Sequence, residues 1–237
     1  MLMGVSDSQR WAVRVVLAAL LFGAGAAHAG RPLQTEDAGV IERGACELEG
    51  FIQRQSVDAE PSVRVGSLQL SCGLPANTQL GVQFQREHAS GEHGDSWGVV
   101  GKSALVPLAA DSAGLTLAYG VRALRASGSS LRYADHFLNL VTTVPTGPWL
   151  LHGNLGTAHD HLARLDSTTW GAALERTGIG GFDAMAEVYG DDRAAPWWNL
   201  GLRYTAIAAR LFFDASYGRQ IDGARARLVS VGFKYAF

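Results

Sequence analysis

Leu228-Val229-Ser230-Val231-Gly232-Phe233-Lys234-Tyr235-Ala236-Phe237 is the stretch whose reading decides the fold. Taken as a strand, it puts Val229, Val231, Phe233, Tyr235 and Phe237 on one face. Leu228, Ser230, Gly232, Lys234 and Ala236 fall on the other, because strand side chains alternate with period 2. One face is wholly apolar and runs into an aromatic at Phe237. Two structures can satisfy such a face: a soluble sandwich that buries it, or a barrel wall that turns it to acyl chains.

The pattern resembles the closing strand of bacterial outer-membrane β-barrels. In those proteins the last strand and its final aromatic are read by the barrel assembly machinery, so the resemblance implies that Phe233, Tyr235 and Phe237 form an assembly signal. Bulk composition agrees with a barrel. The chain has 237 residues, 29 glycines and only 18% charged residues, at a mean hydropathy of +0.06. A helical membrane protein needs runs of about 20 apolar residues, and none follows the first thirty positions. A net charge of −2 argues against a nucleic-acid partner, which would require a basic excess to neutralise phosphates.

Residues 1–29 read as a cleaved signal peptide. Arg10 and Arg14 precede an apolar core from Val15 to Ala26, and Ala27-His28-Ala29 supplies a small-x-small site before Gly30. The expected organisation is therefore a signal peptide at 1–29, a periplasmic N-terminal segment at 30–45 and an outer-membrane barrel at 46–237. The only cysteines, Cys46 and Cys72, lie equally far from a hairpin turn near Ala59. They can face each other across the ladder in a compartment where disulfides persist, and a bond between them is expected.

Arg31-Pro32-Leu33, Thr35-Glu36-Asp37-Ala38-Gly39, Gly44 and Glu47-Leu48-Glu49 resemble the opening of a family of outer-membrane barrels named for the meta-pathway of phenol degradation. That family more often has two aspartates where this chain has Glu36-Asp37. The resemblance covers about twenty residues. It implies passage or uptake of small hydrophobic or aromatic compounds. Physically, residues 32–39 form a polar, turn-prone stretch that can lie at the barrel's rim or enter its mouth.

From Cys46 onward the chain cuts into about twelve alternating segments, an all-β antiparallel barrel with both ends in the periplasm. The clearest alternation sets Leu80, Val82 and Phe84 outward against Gln79, Gln83 and Gln85. Trp198, Leu200, Leu202 and Tyr204 oppose Asn199, Gly201 and Arg203 in the same way. The strand through Phe137 to Val144 has no assignable facing. Connections at 73–77, 109–114, 145–148, 177–181 and 205–208 read as short turns on one side; those opposite, apart from 58–61, read as longer polar loops, including one from Glu87 to Ser96. Trp97, Trp170, Trp197 and Trp198 fall near outer strand ends and Trp149 near an inner one, as interfacial belts require.

Charges avoid lipid at a cost of a few kcal/mol, so the same alternation assigns Glu47, Glu49, Lys102, Arg122, Glu175, Asp183, Glu187, Arg203, Arg210, Asp214 and Lys234 to the lumen. They either close the lumen by pairing or line a polar conduit. No cofactor is implied. His159 and His161 flank Asp160, and His88 and His93 share another outer loop, but a metal site needs three or four converging ligands, so no metal is expected. Three functions stand side by side: a conduit for small solutes, a non-conducting structural or interaction barrel, and an outer-membrane lipid hydrolase. A hydrolase needs a hydroxyl nucleophile beside an imidazole. His136 has no serine two residues away on its face, His152 none apposed, and His161 is separated from Ser167 by a loop.

Overall fold

The computed structural model describes residues 31–57, 61–222 and 225–237; the expected signal peptide lies outside them. Twelve strands follow one another without a helix among the described residues: β1 (Cys46–Ser56), β2 (Val63–Leu74), β3 (Thr78–Ala89), β4 (Glu92–Val106), β5 (Gly114–Ala126) and β6 (Arg132–Thr146). The second half comprises β7 (Trp149–Asp160), β8 (Leu165–Ile179), β9 (Phe182–Asp191), β10 (Trp197–Ile207), β11 (Leu211–Gln220) and β12 (Arg227–Ala236). Each strand pairs antiparallel with its sequence neighbours, and β1 pairs with β12 to close the barrel. Closure leaves no unpaired edge, the condition for a sheet to stand in hydrocarbon.

The stretch from Leu228 to Ala236 fixes the seam with β1. Val231 sits opposite Ile52, and Lys234 opposite Glu49, so apolar side chains meet outside and charged ones inside. At the terminus Cys46 and Phe237 exchange both backbone hydrogen bonds, at 2.7 and 2.9 Å. The Phe233 ring lies over Gly50, where an added Cβ would come within 2.6 Å of it, so a side chain at this position would have to displace the ring. Cys46 and Cys72 are register partners across β1 and β2 and are disulfide-bonded, with Cα atoms 4.1 Å apart.

Outward faces carry the large apolar side chains, for example Ile52, Val82, Leu155 and Leu202. Inward faces carry Gln69, Gln83, Thr116, Asn139 and Ser216, all buried. Polar inside and apolar outside inverts the soluble rule and matches a lipid-facing wall.

Three expectations change in detail. The loop expected from Glu87 to Ser96 is mostly strand: β3 and β4 continue to a turn at residues 90–91. Connections therefore sort less sharply by side, since that turn is short while residues 107–113 form the longest connection at the opposite end. Trp197 does not belong to an interfacial belt. It points inward and is buried with Ala226 and Leu228, its ring 6.4 Å from that of Tyr189, because adjacent residues Trp197 and Trp198 cannot both face out. The strand from Phe137 to Val144 alternates regularly, with Leu138, Leu140 and Val144 outward; its inward face carries the apolar Val141 and Phe137 packed against Ala38, so hydropathy does not separate the two faces. The end that carries Cys46 and Phe237 is called the terminal end below, and the other the distal end.

Candidate functional site

The lumen holds the N-terminal segment. Residues 31–45 contain no strand but run round the inside of the wall, meeting successive strands in order. Arg31 donates to Asp214 on β11 (2.7 Å) and to Ser230 on β12 (2.6 Å). The backbone amides of Gln34 and Thr35 donate to Glu187 on β9, at 2.8 and 2.7 Å. Asn154 on β7 accepts from the Glu36 amide and donates to the Glu36 carbonyl. Thr143 on β6 takes the Ala38 amide, Thr116 on β5 donates to the Ala38 carbonyl, and Gln79 on β3 takes the Ile41 amide. Such an irregular segment has no ladder to satisfy its amides, so inward side chains must do so, and here they do.

Packing is matched to this path. A Cβ on Gly171, Gly201 or Gly232 would collide with Thr35, Pro32 or Arg31 at 2.5–2.7 Å. Leu33 packs on Ala173 and Met185, and Ala38 on Ala118 and Val141. The segment thus lies in a groove of small residues built into the wall, with Thr35, Glu36 and Ala38 fully buried.

Ten of the eleven charged residues assigned to the lumen face it. Lys102 reaches Glu36 at 2.5 Å and the Asp37 carbonyl at 3.0 Å. Lys234 pairs with Glu47 at 3.2 Å and approaches Glu49 at 4.0 Å. Arg203 bridges Glu175 (2.5 Å) and Asp183 (2.9 Å), and Glu175 also approaches His152 at 3.6 Å. Arg122 pairs with Asp135 at 2.7 Å near the distal mouth. Arg210 is the exception: it sits exposed in the turn between β10 and β11, because β11 starts only at Leu211.

Two cavities lie on either side of the segment. The distal one, about 2050 Å³ counted to open solvent, is lined by Gln34, Gln53, Gln85 and Arg122 together with Phe51, Val65, Leu124, Tyr189 and Trp197. The second, about 780 Å³, is polar and charged, lined by Glu36, Asp37, Glu47, Glu49, Lys102 and Lys234. The sequence places residues 32–39 at a rim or mouth; their partners on seven strands, β4 to β10, carry no local signal that locates them deeper.

The histidines gather more than their loops suggested. His136 and His159 are register partners, their rings 5.3 Å apart, with Tyr133 stacked on His136 and His161 beside Tyr133. His159 Nδ1 is 2.7 Å from Asp166. Ser167 turns into the distal cavity, and no serine hydroxyl hydrogen-bonds an imidazole among the described residues.

A model of the family described as Uncharacterised conserved protein UCP029691 matches residues 16–237. No curated protein matches the chain. Among solved structures, the KdgM porin in complex with disordered oligogalacturonate is similar with a TM-score of 0.61 and 12% identity, covering 81% of this chain and 99% of that one. The COG4313 outer membrane channel from Pseudomonas putida F1 is similar with a TM-score of 0.60 and 12% identity, covering 85% and 98%. The NanC porin gives 0.57 and 10%, covering 79% and 98%. At such identities the likeness establishes the barrel fold.

Proposed function

Since the chain belongs to the UCP029691 family and folds as a closed twelve-stranded barrel, we propose that it is an outer-membrane conduit for small solutes. Both termini face the periplasm in this reading, and the N-terminal segment is the internal stop. The observation that carries it is the placement of residues 31–41 between two cavities, held by side chains from opposite sides of the wall. A barrel serving only as a structural element has no need of a groove shaped for a segment across its lumen.

The mixed lining of the distal cavity favours small hydrophobic or aromatic solutes carrying a hydrogen-bonding group. Phe51, Val65, Leu124 and Trp197 offer apolar contact, while Gln53, Gln85 and Arg122 supply donors and acceptors. The resemblance of residues 31–49 to the barrels of the phenol meta-pathway points the same way. Thr143 Oγ1 lies 2.9 Å from His152 Nδ1, but this hydroxyl is buried in the lumen and also takes the Ala38 amide, away from a lipid-facing edge, which weighs against lipid hydrolysis. Export by residues 1–29 and recognition of Phe233, Tyr235 and Phe237 by the assembly machinery belong to the same proposal.

Proteoliposome flux tests the cargo. Uptake of a phenol-sized aromatic should exceed that of a sugar of equal mass. Equal flux of both would remove the cargo preference, and no flux of any solute, with or without residues 31–41, would leave the non-conducting barrel.

A further inference from the structure

The distal rim of the wall carries a second, outward-facing feature. On β11, β12, β1, β2, β3 and β5 the side chains of Arg219, Arg227, Arg54, Arg64, Arg86 and Arg125 are exposed on the lipid-facing side. Those strands, with β4 between the last two, are contiguous round the barrel. Arg54 and Arg64 are direct cross-strand partners. Like charges set opposite each other destabilise a sheet unless an anion lies between them.

Among the described residues, one acid in the strands of this arc faces out at the level of the arginines. Asp95 on β4 bonds Arg86 at 2.7 Å and Arg125 at 3.0 Å, and is saturated by them. Arg54, Arg64 and Arg219 have no carboxylate partner among the described residues. The depth is equally specific. Arg54 lies two residues beyond Ile52, Arg86 two beyond Phe84, and Arg219 two beyond Tyr217. The Arg125 and Arg86 guanidiniums stand over the Trp97 and Phe84 rings, at 5.3 and 5.9 Å. Aromatics of this kind mark the interface, so the arginines stand one step out, at the level of the headgroups.

We propose that this arc binds the phosphates of a phosphorylated glycolipid in the leaflet at the distal end. Guanidinium groups match phosphate oxygens bidentately, and clustered basic side chains beside a hydrophobic span concentrate anionic headgroups. The inference rests on the proposed orientation, which makes that leaflet the external one and the lipid of lipid A type. It does not rest on conduction.

Native mass spectrometry of the detergent-folded barrel with diphosphoryl lipid A, dephosphorylated lipid A and phosphatidylglycerol tests it. Diphosphoryl lipid A should be retained best. A variant with Arg54→Gln and Arg64→Gln should lose about tenfold or more of that affinity, while heat-modifiable migration shows that the barrel still folds. Equal retention of the dephosphorylated lipid, or unchanged affinity in the variant, overturns the proposal. Preference for phosphatidylglycerol overturns it and the orientation together, whereas solute flux reports on the conduit separately.

Discussion

Lys102 Nζ on β4 lies 2.5 Å from Glu36 Oε2 of the N-terminal segment, with both side chains nearly excluded from solvent. This pair joins the wall to the piece of chain that occupies the lumen. Removing one partner of a buried pair leaves a charge without compensation, which typically costs about 3–5 kcal/mol. Lys102→Met should therefore loosen residues 31–41 without unfolding the barrel. Limited proteolysis of the detergent-folded protein should cut the variant there, and the wild type should resist. Adding Glu36→Leu should restore protection, since an apolar pair of similar volume replaces the ion pair. If the single variant stays as resistant as wild type, the pair does not hold the segment.

The disulfide closes a loop with a sequence separation of 26. In the chain-entropy picture a loop of that size contributes at most about 3.5 kcal/mol, and barrel closure between β1 and β12 already restrains the same residues. Cys46→Ala with Cys72→Ala should lower the urea midpoint while leaving migration of the folded form unchanged. Unreduced wild-type protein should show no titratable thiol; two free thiols would contradict the bond.

Ile52, two-thirds exposed, meets lipid at the β1–β12 seam beside Val231. A lipid-facing arginine costs about 2–4 kcal/mol at the bilayer midplane, falling to about 0–1 kcal/mol at the interface, and Ile52, one step inside Arg54, lies between the two. Ile52→Arg should reduce folding yield into liposomes by that measure, read from urea titrations in the bilayer. An exposed residue of a soluble sandwich would tolerate the change, so an unaltered titration would argue against a lipid-facing wall.

The wall could be read from the sequence wherever one face meets lipid and the other water, as from Leu80 to Gln85 or from Trp198 to Tyr204. Beyond the lipid both faces are polar, the alternation disappears, and residues 87–96 look like a loop although they form ladder. Arg210 was placed inward by counting in twos from Asp214, but alternation does not continue into the turn that precedes Leu211. The bulge at Arg122/Ala123 puts Tyr133 and His136 on the same face three residues apart, which breaks the period of 2. The seat of residues 31–41 was beyond reach for another reason: Asp214, Glu187, Asn154, Thr143 and Gln79 meet it only because the barrel closes. Cys46 and Cys72 were readable because a hairpin fixes register by counting alone.

Single-channel recording in planar bilayers tests the central claim most directly, with wild type compared against a chain lacking residues 31–41. Heat-modifiable migration must first show that both fold. The wild type should remain closed for most of the record, and the shortened chain should hold a steady open level of small-solute size. Identical traces from the two would contradict the claim that the N-terminal segment is the stop inside the barrel.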